Sequence, residues 1–387
     1  MNYIVISPYY PQNFQQFTVE LAKKGITVLG IGQEPYDQLD QPLKEALTEY
    51  FRVEDLENVE EVKRAVAFLF HKHGPIDRIE SLNEYWMELD ASLREQFHVF
   101  GLKPSELKKT KFKSEMKKLF KKAGVPVAPG QVVKTLAGLD QAVKKIGLPL
   151  IAKPDNGVGA AATFKLETEA DVAHFKENWD RSVVYFIEKF VDSSVICTFD
   201  GLLDHEGNIV FSTTFDYAYT PLDLLLYGYE NSYYILKEID PKLQAYGEAI
   251  IKAFGMKERF FHIEFFRTED DYIAIEYNNR PAGGFTVDLY NFAHSIDLYK
   301  GYADVVHGDP FEKQSRETEF GLVTARRKSE HYALSEEELR EKYGYKLKAV
   351  KEVPEAFASL QGDTHYILTS PERSEIDQMI LDFRKKA

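Results

Sequence analysis

The chain has 387 residues, with 48 Lys and Arg against 62 Asp and Glu and a formal net charge of −14, which argues against a nonspecific nucleic-acid binder unless the basic residues share one face. A hydrophobic fraction of 44%, 13% aromatic residues and one cysteine, Cys197, predict well-packed units with no intrachain disulfide and no cysteine zinc site. The length predicts two or three domains; the absence of a run of about 18 apolar residues argues against a membrane span, and the expected location is the cytoplasm.

From Met1 to about Lys103, strand and helix alternate. The start, M-N-Y-I-V-I-S-P-Y-Y-P, lacks a basic n-region and reads as a first strand, not a signal peptide. Tyr3 to Ile6, Ile26 to Ile31 and Ile76 to Ser81 are apolar strands, separated by helices over Phe14 to Lys23 and Val59 to His71, which predicts a parallel, doubly wound sheet. The first strand runs into S-P-Y-Y-P, without the glycines that let a pyrophosphate approach a helix N-terminus, so a nicotinamide cofactor is not expected here. The third strand leads to Asn83 and Glu84, a polar pair that could orient a substrate; Asn83 reads equally well as a helix N-cap.

The lysine-rich stretch Lys108 to Lys122 carries Phe112, Met116, Leu119 and Phe120 at helical spacing, predicting an amphipathic helix that stops at A-G-V-P. After Gln131 to Lys134 and a helix near Gly138 to Ile146 comes the strand P-L-I-A-K-P, then D-N-G-V-G-A-A-A-T-F-K-L. The piece G-V-G-A-A-A matches a dinucleotide fingerprint, but Thr163 to Leu166 continues as a strand. The loop therefore reads as a glycine-rich hairpin, Gly157 and Gly159 included, able to fold over phosphates just beyond Lys153. Next come the strand V-V-Y-F-I-E-K-F-V with Glu188 and Lys189, a hairpin from Ile196 to Phe215, and an aromatic loop, Tyr217 to Tyr234. A helix spans Pro241 to Phe254.

The strand F-F-H-I-E-F-F, with Glu264, precedes a turn near Glu269 to Asp271 and the run I-E-Y-N-N-R-P-A-G-G. Glu276, Asn278 and Arg280 are two apart, so on a strand they face one way. Two carboxylates, an amide oxygen and a guanidinium then share one patch of sheet, and hard oxygen donors suit Mg²⁺. The alternative is a Glu276–Arg280 salt bridge on a solvated face. Beyond Pro310, strands Phe320 to Ala325 and Lys346 to Val350 and helices Glu336 to Tyr343 and Ser374 to Lys385 predict a small appended α+β domain, in which one of Arg326 and Arg327 is a candidate for reaching a cleft.

The order Lys113, Lys153, glycine-rich hairpin, Glu188-Lys189-Phe190-Val191, Glu264 and Glu276-x-Asn278-x-Arg280 resembles the ATP-grasp superfamily over about Gly101 to Asp309. The resemblance implies a preATP-grasp α/β domain over 1–104, an ATP-grasp domain over 105–310 with lobes near 105–184 and 185–310, and a small C-terminal α+β domain over 311–387. It implies an ATP- and Mg²⁺-dependent enzyme, Mn²⁺ being an alternative metal, that joins a small-molecule carboxylate to an amine through an acyl phosphate. Lys113 and Lys153 would hold phosphates, though Lys113 alone reads as a surface lysine. Glu188, Lys189 and Val191 would form the hinge at the adenine edge. Glu264, Glu276 and Asn278 would bind Mg²⁺, and Arg280 would neutralise the transferring phosphoryl group. Asp192 is a weak match to the family's ribose ligand. R-P-A-G-G is nearer to dipeptide-type ligases than to biotin carboxylases, and Gly283-Gly284 reads either as a substrate-carboxylate cradle or as a turn. A thiol or ammonia acceptor, a relative of the carbamoyl phosphate synthetase large chain, and a non-catalytic ATP-binding regulator stay open. No nucleic-acid or membrane partner is expected, and a homodimer is compatible with the reading.

Overall fold

Alternating apolar stretches in the first hundred residues build a four-stranded parallel sheet, order β3-β2-β1-β4, from β1 (Asn2–Ile6), β2 (Thr27–Gly32), β3 (Glu49–Arg52) and β4 (Arg78–Glu80). Ile4, Ile6, Leu29 and Ile31 share one core with Val62, Val66 and Leu69 of the helix Val59–His73 and with Leu89 and Leu93 of the helix Met87–Gln96. Such covering of the strands by helices is what a parallel sheet requires. This computed structural model describes every residue except 158–161, 194, 221–223, 225–227 and 313–317. Among the described residues no helix is long and apolar enough to cross a membrane.

A second sheet, antiparallel and ordered β5-β8-β6-β7, contains β5 (Gly130–Val133), β6 (Leu150–Pro154), β7 (Phe164–Leu166) and β8 (Tyr185–Lys189). The helices Leu136–Ile146 and Glu169–Asn178 close its core through Leu139, Val172, Phe175 and neighbouring Trp179. β6 and β7 pair as the arms of the expected glycine-rich hairpin. Residues 158–161 of the loop between them, Gly159 included, lie outside the described residues.

The third sheet has nine antiparallel strands in the order β14-β13-β9-β11-β12-β15-β17-β16, with β10 paired to β9. Its members are β9 (Val195–Leu203), β10 (Ile209–Thr213), β11 (Phe215–Tyr217), β12 (Ser232–Ile235), β13 (Arg259–Arg267), β14 (Tyr272–Asn278), β15 (Phe320–Arg326), β16 (Leu347–Glu352) and β17 (Thr364–Ser370). The strands after residue 311 thus form no sheet of their own. β15 takes the edge of β12, Ser232 opposite Thr324, and carries β17 and β16 outward. The carboxylate-bearing strands and the C-terminal strands therefore share one continuous surface.

The parallel sheet is fixed to this surface by packing and by desolvated charge. Phe17 meets the rings of Phe260, Tyr299 and Tyr302 edge-on at 4.7–5.5 Å, and the hydroxyls of Tyr3 and Tyr302 are 2.8 Å apart. Glu80 at the end of β4 receives Arg259 at 2.8 Å and Arg94 at 2.6 Å, all three buried. A buried ion group of this kind adds little net stability but sets a relative position. Here it holds the C-terminal end of β4, and Glu84 just beyond it, against the end of β14.

Candidate active site

The floor of the site is the β13–β14 pair. Glu264 stands opposite Glu276, and His262 opposite Asn278. The register shifts just past Glu264, leaving Ile275 as an extra residue, and both Ile275 and Glu276 line the cavity. A bulge of this kind re-aims side chains beside a site. Glu264 Oε1 accepts from the Tyr217 hydroxyl at 3.2 Å and from His262 Nε2 at 3.3 Å. His262 Nδ1 is 2.7 Å from Asp200 Oδ1, while Asp200 Oδ2 accepts from Thr198 and Tyr290. Burial alone would depress His262; the Asp200 carboxylate outweighs it and raises the imidazole to about 10. His262 is therefore an imidazolium that donates from both nitrogens. Glu264 is held below its ordinary value by the same imidazolium, against the opposing effect of burial.

The roof begins with a correction. The single helix expected over 108–122 is two, Pro104–Lys111 and Lys113–Lys122. Phe112 between them is extended and bridges Asn156. The apolar spacing survives the break, which is why periodicity did not show it. The break matters for Lys113: its N–H donates to Asp155 C=O at 2.9 Å, and Ser114 N–H and hydroxyl both donate to the Asp155 carboxylate at 2.8 Å. Lys113 is thereby buried, with Nζ donating to Gly157 C=O at 2.7 Å and lying 3.6 Å from Glu276 Oε1.

Glu188, expected at the adenine edge, lines the cavity with its carboxylate in a buried ion group. Its carboxylate lies 3.0 Å from Lys153 Nζ and 3.1 Å from Lys117 Nζ. Burial opposes ionisation of Glu188, but the two ammonium groups overcome it and lower the carboxyl to about 2. Lys153 is raised by Glu188 despite burial, whereas burial lowers Lys117. The Lys189 ammonium is also turned aside, donating to the carbonyls of Gly147 and Leu148. Glu188, Lys189 and Val191 of the expected hinge all line the cavity.

Floor and roof enclose a cavity of about 620 Å³, the size that accommodates a small organic ligand. Ile151, Phe190, Ile196, Phe266 and Ile275 supply apolar lining, with Asp192 also in the wall. Lys113, Lys153, Glu264, Glu276, Asn278 and Arg280 line the same cavity. Arg280 lies past the end of β14; its Nε donates to Glu84 Oε2 at 2.9 Å and its Nη1 to Pro281 C=O. The alternative Glu276–Arg280 pair does not form: Glu276 faces Lys113 and Arg280 faces Glu84. Asn83 is an N-cap, its side chain accepting from Tyr85 N–H at 3.0 Å. Gly283 and Gly284 line the cavity, and Gly284 has φ of +63°.

Arg326 and Arg327 do not reach this cavity. Ala325 stands opposite His365, which lines the cavity, so its neighbour Arg326 points to the other face of the sheet. There it donates to the carbonyls of Phe383, Leu334 and Asp382 beneath the helix Arg373–Arg384, and Arg327 donates to Ala358 C=O. The sequence reading missed Lys117, His262, Asp200 and Tyr217. Alternation already placed His262 on the face of Glu264, two residues away, and helical spacing placed Lys117 one turn after Lys113. Asp200 and Tyr217 had no local signal.

Among the described residues there is no group of three His, Cys, Asp and Glu side chains suited to a metal. The available donors are the Glu264 and Glu276 carboxylates and the Asn278 amide oxygen. This hard-oxygen set fits Mg²⁺, which takes one or two carboxylates and completes its shell with water and phosphate.

The ATP-grasp domain family model matches residues 146–288, from the strand preceding Lys153 to past Gly284. An L-arginine-specific L-amino acid ligase from Bacillus subtilis is 25% identical over 59% of this chain and 59% of its own length. The C-terminal section of a carbamoyl phosphate synthase large chain from Methanopyrus kandleri is 23% identical over 45% of this chain and 31% of its own. The chain thus spans less than two thirds of the length of the curated relatives it matches. An L-amino acid ligase from Bacillus licheniformis superposes with a TM-score of 0.73 at 15% identity, covering 99% of this chain and 96% of that one. A phosphoribosylglycinamide synthetase from Anaerococcus prevotii does so with 0.69 at 14%, covering 99% and 97%. These superpositions carry the fold, and the family match is to residues 146–288, which are similar to an ATP-grasp domain.

Proposed function

We propose that the protein is an ATP- and Mg²⁺-dependent ligase that joins a carboxylic acid to an amine, releasing ADP and phosphate. One observation carries the proposal. Glu264, Glu276 and Asn278 on one lobe face Lys113 and Lys153 on the other side of a single cavity, with Arg280 beside them. That arrangement suits phosphoryl transfer, which needs positioning and charge neutralisation more than covalent help.

In this reading Lys113 and Lys153 hold phosphate oxygens, and Glu188 sets the direction of Lys153 and Lys117. Glu264, Glu276 and Asn278 hold Mg²⁺, which supplies charge neutralisation on the phosphates when bound. His262 keeps Glu264 ionised and aimed, while Asp200 and Tyr290 keep His262 in place. The apolar lining of the cavity receives the base, and the Val191 backbone its edge. A substrate carboxylate attacks the γ-phosphorus near Arg280, ADP leaves, and an acyl phosphate forms. An amine then attacks the acyl carbon, phosphate leaves, and the amine gives up one proton. The amino acid ligase among the relatives favours a nitrogen nucleophile over a thiol.

The test is ADP release from ATP·Mg²⁺ over pooled amino acids, hydroxy acids and amines, followed by mass spectrometry of the product. Release that requires both an acid and Mg²⁺ is the expected result. ATP binding without release under any pool would refute a ligase and leave an ATP-binding regulator.

A further inference from the structure

The cavity has a second wall, on the C-terminal strands, that the phosphate and metal groups do not use. Ala325 N–H donates to Asn231 C=O at 3.0 Å, and Ala325 stands opposite His365 in the β15–β17 register. Asn231, Ala325 and His365 thus form one row across the sheet, facing one side. Asn231 and His365 both line the cavity.

Their hydrogen-bonding state is unusual. His365 is 1% exposed, and its Nε2 lies 3.1 Å from the Gln361 carbonyl oxygen. A carbonyl only accepts, so Nε2 carries the proton and Nδ1 is left as an acceptor. That Nδ1 is buried without a hydrogen-bond partner among the described residues, and so is Asn231 Oδ1. Burial lowers His365 to about 4, which keeps the imidazole neutral. Two donors that line the same cavity are engaged elsewhere: the Tyr233 hydroxyl pairs with Thr286 and Arg280 Nε with Glu84. Two buried acceptors left unpaired are costly, and a folded protein that keeps them beside a cavity leaves them for a ligand.

We propose that Asn231 and His365 form a subsite that accepts hydrogen bonds from an N–H group of the organic substrate. The inference rests on the ligase reading above and names a substrate class for it. The nitrogen belongs either to the amine nucleophile or to an amino group carried by the carboxylate, and the test separates the two. A substrate whose remote group is a carboxylate or a phosphate is disfavoured, since acceptor would face acceptor.

The experiment compares wild type with His365→Leu and Asn231→Leu, and with Asn231→Asp and His365→Gln, in two assays. In the first, pooled acids and ATP·Mg²⁺ are given with hydroxylamine, which traps the acyl phosphate as a hydroxamate and needs no amine subsite. In the second, the acid so identified is coupled to pooled amines. Each leucine variant is expected to raise one organic KM about tenfold or more, with the KM for ATP within about twofold of wild type. A rise in the acid's KM in the hydroxamate assay assigns the nitrogen to the acid; a rise only in the amine's KM assigns it to the nucleophile. Asn231→Asp should lower the same KM for a cationic substrate. His365→Gln, which retains a side-chain acceptor, should stay nearer to wild type than His365→Leu and serves where the leucine variant does not fold. Hydroxamate formation with both organic KM values unchanged in these variants overturns the subsite alone. No hydroxamate from wild type with any acid overturns the ligase reading and the subsite with it.

Discussion

Replacing Glu188 by Gln should loosen the clamp before it affects any chemistry. Glu188 lies on β8, whereas Lys117 lies on the helix Lys113–Lys122, whose Nζ also donates to Ala274 C=O on β14 at 2.9 Å. The carboxylate therefore ties the smaller lobe to the larger. Its lowering from 4.5 to about 2 corresponds to roughly 3 kcal/mol of stability at pH 7. The sign follows from the folded value lying below the unfolded one: the contribution is complete above about pH 4.5 and is lost as pH falls toward 2. Removing one partner of a buried ion group costs about 3–5 kcal/mol, because two ammonium groups would be left uncompensated. Urea unfolding of Glu188→Gln at pH 7, followed by Trp179 fluorescence in a Trp86→Phe background, should show a loss of this size. At pH 3 the difference from wild type should shrink. Adding Lys117→Met should recover more than about 1 kcal/mol, since it removes one uncompensated charge. A loss below about 1 kcal/mol, or a double variant no better than the single, would show that the lysines do not depend on Glu188.

Lys153→Ala should weaken binding of a nonhydrolysable ATP analogue by about 1.5–3 kcal/mol, the worth of one charge-assisted contact; calorimetric titration with unchanged affinity would remove Lys153 from the phosphate site. Glu276→Gln should abolish most Mg²⁺-dependent ATP turnover while shifting the melting temperature by only a few degrees, because Glu276 is a part-exposed ligand candidate facing Lys113 at 3.6 Å. Full turnover in that variant would place the metal elsewhere. Arg326→Ala should lose about 2–4 kcal/mol of stability from its three carbonyl contacts, one buried and two part-buried, yet keep activity per folded molecule, measured by normalising turnover to native protein; a selective loss of turnover would contradict its place away from the cavity.

The parts of the site that local rules reach were legible in the sequence, and they are the parts built on single elements. Alternation along β14 put Glu276 and Asn278 on one face, and the strand before it supplied Glu264 with the correct antiparallel neighbour. The same rule carried to Arg280 describes its direction less well, because the strand ends at Asn278. Lys113 illustrates the opposite failure. Its helix was expected, but the break at Phe112 that buries Lys113 depends on Asp155 and Asn156, some forty residues away. Likewise F-F-H-I-E-F-F read as a core strand. That His262 is charged became visible only once β9 brought Asp200 beside it.

Sheet order is where the larger gap lies, and it has a physical cause. Strand-edge pairing is specified by backbone groups that every residue shares, so β12 and β15, nearly ninety residues apart, carry no local mark of their partnership. Read locally, the strands after residue 311 form a separate unit; paired, they extend the sheet that bears Glu264. That extension changes what the C-terminal residues can do. On β15 and β17 the face toward the cavity carries Ala325 and His365, while Arg326 on the opposite face is spent on the helix Arg373–Arg384. The residue type that suggested substrate capture thus has a structural role, and the buried neutral imidazole beside it takes the place at the cavity wall. A similar long-range step joins Glu84 to Arg280, 196 positions apart. Because Arg259 and Arg94 lock Glu80 four residues before Glu84, the parallel sheet fixes the direction of the Arg280 guanidinium in the cavity lining, and the site is complete only when the segment that carries Glu80 and Glu84 is docked on the antiparallel sheet.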